Sequence, residues 1–101
     1  MTTEQVTVIV DRELEDLIPG FMARRREDVI ALRNSLASGD MEKIRIFGHS
    51  MKGTGGGYGF DEISTIGSEI EQAAIAGEID KISELTDRLE AYLENVVIKF
   101  E

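Results

Sequence analysis

Two nine-residue stretches of this chain are near copies: Leu36-Ala-Ser-Gly-Asp-Met-Glu-Lys-Ile44 and Ala74-Ile-Ala-Gly-Glu-Ile-Asp-Lys-Ile82. In each, a helically periodic segment stops on a glycine and another starts on an acidic residue, the ordinary signals for a helix end and a helix start. Nine residues are too few to make a repeat, but they are enough to make two similar corners. Corners this short make successive helices antiparallel neighbours. The only proline is Pro19, which suits the first turn of a helix. Strand-like alternation is confined to Val6-Thr-Val-Ile-Val10.

The helices can be placed from these marks. Asp11 is the N-cap of a short helix through Leu17. The next opens at Pro19, carries Met22, Val29, Leu32 and Leu36 at helical spacing, and runs to about Ala37. A third starts near Met41. The fourth runs from about Asp61 to Ala76, with Ile63, Ile66, Ile70 and Ala73 or Ala74 on one face. The fifth runs from about Ile79 to Lys99, with Ile82, Leu85, Leu89, Tyr92, Leu93 and Val96. The predicted fold is all-α: an antiparallel four-helix bundle over residues 11–100 with a short extra N-terminal helix. It forms a single domain, residues 1–101, and residues 1–10 are an extended lead-in. For Val6–Val10, packing across the bundle, a helix start and contact with another chain all remain open.

Composition narrows the class of partner. At 101 residues there is room for one modest core. A net charge of −9 disfavours nucleic acid and anionic membranes and suits protein partners. There is no cysteine, hence no disulfide framework or thiolate metal site. The longest apolar runs, such as Val96-Val97-Ile98, are far too short to span a bilayer. Met-Thr-Thr-Glu-Gln at the N-terminus lacks the basic and apolar regions of a signal peptide, so the expected location is the cytoplasm.

Gly48-His-Ser-Met-Lys-Gly-Thr-Gly-Gly-Gly-Tyr-Gly-Phe60 holds the single histidine and six of the ten glycines. By propensity it is a loop. Continued as a helix at about 100° per residue, it turns Ile44, Phe47, Met51, Gly55 and Tyr58 to the core and His49 to solvent. Glu42, Arg45, Ile46, Lys52, Gly53 and Gly56 then surround His49. Helical glycine costs about 1 kcal/mol relative to alanine. Gly55 faces inward, where it permits close helix packing. Gly53 and Gly56 face outward, where packing does not explain them and where they clear space at the imidazole. Lys52, one turn on, is a cation within reach of an anion on the ring. The segment is therefore predicted to be helical through at least Gly56, with His49 exposed.

Other chemistries fit less well. Ser50 projects about 100° from His49, which is wrong for a hydrolytic triad. One histidine with scattered carboxylates is a poor metal site, and none is expected. Lys52 precedes the glycine cluster, which is the reverse of a P-loop. What remains is an imidazole that carries a group itself, with phosphoryl the natural cargo and lysine neutralising its oxygens.

The stretch His49-Ser-Met-Lys52-Gly53-Thr-Gly-Gly56-Gly-Tyr-Gly59-Phe resembles the signature of histidine-containing phosphotransfer (HPt) domains. Ile70-Glu71, the Ala-Ala and Gly-Glu that follow, and the Leu-Ala-Ser-Gly-Asp corner extend the resemblance from about Asp11 to Phe100. Met51, where leucine or isoleucine is usual, and the extra Gly57 are small departures. The resemblance implies phosphorylation of His49 on Nε2, with Lys52 steadying the phosphoryl group and Gly53 leaving room for it. Glu71 matches a glutamate that, in the similar domain of the chemotaxis kinase, orients the histidine through Nδ1. A solvated surface carboxylate is the other reading of Glu71.

The implied function is that of a phosphorelay intermediate. It would accept a phosphoryl group on His49 from a receiver-domain aspartate and pass it to another. The alternative is a helical interaction module that regulates by binding, unphosphorylated. The implied partners are response-regulator receiver domains and a hybrid sensor histidine kinase. Mg²⁺ would sit on the receiver, and the chain itself would be a monomeric carrier without an ATP site. Docking would centre on His49, with Gly53, Gly56, Ile46, Ile30 and Arg45 around it. Val29 reads more as edge of core. Arg24-Arg25-Arg26 is either a docking patch or a solvated helix face.

Overall fold

The computed structural model describes residues 5–101. The part of the expected lead-in before residue 5 lies outside the described residues. Four α-helices form the bundle: α1 (Ile18–Ser38), α2 (Met41–Gly55), α3 (Asp61–Ala76) and α4 (Ile79–Asn95). The short N-terminal helix is present over Arg12–Leu17, wound as a 3-10 helix and capped by the Asp11 carboxylate on the Glu13 N–H. Pro19 lies in the first turn of α1.

All three corners of the bundle close in the same way. Gly39 and Gly77 take left-handed φ values of 73° and 70°. After each, the chain folds two N–H groups back onto the helix: Gly39 to Leu36 and Asp40 to Ser35, then Gly77 to Ala74 and Glu78 to Ala73. That paired closure satisfies carbonyls that a helix end otherwise leaves bare. The third corner is the glycine-rich stretch. α2 ends at Gly55, a 3-10 turn covers Gly56–Tyr58, and Gly59 (φ 92°) reverses the chain so that Phe60 N–H reaches Gly55 C=O. The α-helix thus stops one residue short of the expected Gly56, which keeps right-handed dihedrals within the tighter turn.

The core is the set of apolar stripes that the periodicity selects. Leu32, Ile44, Met51, Phe60, Ile63, Ile66, Ile70, Ile82 and Leu89 are fully buried. Phe21 stacks on Phe60 and tilts against Tyr58.

One element departs from the expected all-helical pattern. The fifth predicted helix ends at Asn95 rather than Lys99, and Val96–Phe100 is a strand, β2. It pairs in parallel with β1 (Val6–Val10), Val6 opposite Val96 and Val10 opposite Phe100. The reason is local and tertiary together. Val96-Val97-Ile98 is a β-branched run that loses rotamer freedom in a helix and packs well on a pleated, half-buried strand. Period-2 spacing then puts Val96, Ile98 and Phe100 on one face beside Val8 and Val10, all packed on the core. An isolated two-stranded sheet is marginal, so the bundle beneath supplies its stability. β1 resolves the open question about Val6–Val10 as an extended segment held within the chain.

Candidate functional site

α2 lies on α3 with almost nothing between their backbones. A Cβ built on Gly48 would sit 2.6 Å from Glu71 N, and one on Gly67 would sit 2.6 Å from Lys52 N. On Gly55 it would lie 2.7 Å from Ser64 N. Only hydrogen fits at these three points. Gly55 is the inward glycine that the helical projection expects. Gly48 and Gly67 were not singled out there; the signal was a glycine on each of two facing apolar stripes.

This close approach brings Glu71 up against the histidine. Glu71 Oε2 lies 2.9 Å from His49 Nδ1, and Glu71 Oε1 lies 2.9 Å from Lys52 Nζ. Glu71 is only 7% exposed, whereas the His49 side chain is 66% exposed. The solvated-carboxylate reading of Glu71 therefore fails on geometry. Lys52, first, and His49 hold its carboxyl below the ordinary carboxylate range, against desolvation that pushes it up. A carboxylate at Nδ1 favours the tautomer that carries its proton there, and Nε2 is the ring nitrogen that this contact leaves free. Lys52 is thus not the free charge that its position suggests: its ammonium is held beside the ring by the same carboxylate.

Gly53 is open, with nothing within 4 Å of a Cβ placed there. Gly56 is not the cleared position expected. A Cβ there would meet Ser64 Oγ at 3.3 Å, because the Gly56 N–H donates to that hydroxyl at 2.7 Å. Ile46 and Ile30 are 53% and 63% exposed, on α2 and α1 respectively. Ile30 borders a groove of about 290 Å³ with Arg26, Leu93 and Glu94, and Val29 at its floor is buried in the core. Arg45 is paired with Glu42 one turn back and does not reach His49.

The arginine run divides. Arg24 and Arg26 are exposed, but Arg25 is 5% exposed and neither docks nor solvates. Its Nε pairs with Asp28 at 2.8 Å, its Nη1 donates to Thr54 Oγ1 at 3.0 Å, and its guanidinium lies over the Phe21 ring. Thr54 passes the connection to the Ser50 carbonyl, so α1 is tied to α2 one residue beyond His49. Helical periodicity marks Arg25 only as charged. Its position on the Met22–Val29 side of α1 was the available signal.

The family model of the Hpt domain matches residues 16–97. This chain belongs to the Hpt domain family. Neither a curated protein nor a solved structure matches it. Membership gives the chain a histidine phosphotransfer role in phosphorelays, as a carrier that interacts with response-regulator receivers. Among the described residues, no helix is long and apolar enough to cross a membrane.

Proposed function

We propose that this chain is a phosphorelay intermediate that takes a phosphoryl group onto His49 Nε2 from the aspartyl phosphate of one receiver domain and delivers it to the aspartate of another. The observation that carries this reading is the His49–Glu71 hydrogen bond, with Nδ1 held at a buried carboxylate on a ring otherwise in solvent. In the forward step the Nε2 lone pair attacks phosphorus. The bond from phosphorus to the aspartyl oxygen breaks, and its electron pair returns to the receiver's carboxylate. The proton on Nδ1 stays where it is, and Glu71 balances the positive charge the ring acquires. The reverse sequence unloads the histidine onto the second receiver.

Lys52 has two acceptors to choose between. Before transfer its ammonium lies on Glu71 Oε1. A phosphoryl group on Nε2 adds oxygens with more charge one turn away, and the ammonium turns to them with a small rotation of its stem. Gly53 leaves the approach clear. The receiver docks over His49 on the α1 side, against Ile46 and Ile30. It supplies the Mg²⁺, and the hybrid sensor histidine kinase upstream supplies the phosphate. The chain works as a cytoplasmic monomer and has no nucleotide site of its own.

The test is transfer itself. Candidate phosphorylated receivers are mixed with the wild type and with His49→Gln, and acid-labile phosphate is followed on each. The wild type should gain label and His49→Gln none. Failure of the wild type to gain label from any receiver would falsify the relay reading.

A further inference from the structure

The last turn of α2 is poor helix by composition. Gly53 and Gly55 lie in it and Gly56 and Gly57 follow, each giving up helix propensity. Lys52 stands at the head of this turn. Its carbonyl and the Gly56 N–H, four residues on, are the two groups that close it. Both are gripped from outside the helix. Ser64 Oγ accepts from Gly56 N–H at 2.7 Å and donates to the Lys52 C=O at 3.0 Å.

A hydroxyl near a helix start usually folds back onto its own helix. Thr65, the next residue, does so, donating to Asp61 C=O at 3.1 Å. Ser64 turns across to α2 instead. Its short side chain reaches because Gly55 lets the two backbones touch. Ser64 also lies seven residues before Glu71, two turns along the same face of α3. One face of α3 therefore holds Lys52 twice, by its backbone carbonyl through Ser64 and by its ammonium through Glu71.

We propose that Ser64 is a positioning residue for Lys52, its hydroxyl clamping the glycine-rich turn from which the lysine extends so that the ammonium stays beside His49. The kinetic part of this inference rests on the phosphotransfer reading. The resting-state part, the hold on the Lys52–Glu71 pair, does not.

The experiment compares Ser64→Ala, Ser64→Thr and the neighbouring control Thr65→Ala, each in the wild type and in Lys52→Ala. The first readout is the NMR titration of the Glu71 carboxyl. Ser64→Ala should move it up towards the ordinary carboxylate range, with no movement in the Lys52→Ala background. The second is the rate of the transfer step from a phosphorylated receiver at saturation. Ser64→Ala should slow it roughly threefold to tenfold, about the worth of one hydrogen bond, with half-saturation unchanged and no further loss on top of Lys52→Ala. Ser64→Thr should restore both readouts, and Thr65→Ala should alter neither. An unmoved Glu71 titration in Ser64→Ala overturns the proposal. So does an equal loss of rate with and without Lys52, which would make the hydroxyl a general support. If the wild type takes no phosphate from any receiver, the relay reading fails alone, and the titration still decides the role of Ser64.

Discussion

Glu71 meets two demands with two oxygens, one on the imidazole and one on the ammonium, and its ionised form is what satisfies both. Because the folded protein holds its carboxyl below the ordinary range, the unfolded chain binds its proton more readily. The contribution of Glu71 to stability is complete above the ordinary carboxylate pKa and is lost as pH falls from there through the depressed folded value. Asp28 has the opposite sign: burial raises its carboxyl despite the Arg25 partner. Its contribution is complete below the ordinary carboxylate pKa and is lost as pH rises through the raised value. Urea denaturation at a series of acid pH values should therefore give Glu71→Gln a shallower acid loss than wild type, and Asp28→Asn a steeper one. The same Glu71→Gln protein should show a mixture of imidazole tautomers by ¹⁵N NMR, where the wild type holds its proton on Nδ1. A single unchanged tautomer would show that the carboxylate does not set the ring. The family resemblance points to Glu71 as a partner of His49 but leaves it divided between two roles, because a motif match does not show how near the facing helix comes. That nearness depends on Gly48 and Gly67.

At the scale of one element, the glycines of α2 separate into two kinds that composition counts alike. Gly48 is a contact: an added methyl would press into the backbone of Glu71. Gly53 is a vacancy: an added methyl would meet nothing within 4 Å. Gly48→Ala should destabilise the bundle by about 1–3 kcal/mol, the range for forced overpacking, and Gly67→Ala should match it. Gly53→Ala should stabilise the helix by up to about 1 kcal/mol through propensity alone, yet slow phosphotransfer by filling the approach to Nε2. Thermal melts together with the transfer assay read both effects. A Gly53→Ala protein that is both more stable and equally fast would remove the clearance role. Helical angle alone turns Met51, Gly55 and Tyr58 inward and Gly53 outward, as they lie, but it does not single out Gly48 or Gly67. For Gly56 it gives the exposed side but not the neighbour found there, since the cross-helix hydroxyl of Ser64 lies on another element and has no periodic signature.

Across the whole molecule, the bundle and its small sheet are joined but serve different ends. The apolar spacing of four helices and the glycine-acid corners made the bundle readable. The sheet was half readable: Val6–Val10 alternates visibly, but its partner Val96–Phe100 continues a helical stripe through Val96 and so reads as helix until a strand is available to pair with it. Parallel pairing of the two ends of a chain is a long-range fact, and a local pattern cannot contain it. The geometry around His49, by contrast, is set by α2 against α3, and none of its residues touches β1 or β2 in the hydrogen bonds and ion pairs described. Removing residues 97–101 should then separate the two. The half-buried Ile98 and Phe100 leave the core and the ladder to β1 is lost, which should lower stability by on the order of 3 kcal/mol at roughly 25 cal/mol per Å² of apolar surface. Amide exchange should rise sharply through β1 and around Val10 while α2 and α3 stay protected. Phosphotransfer to His49, measured at a temperature where the truncated protein is fully folded, should stay within about twofold of wild type. A large loss of transfer with α2 and α3 still protected would mean that the sheet is part of the receiver-binding surface.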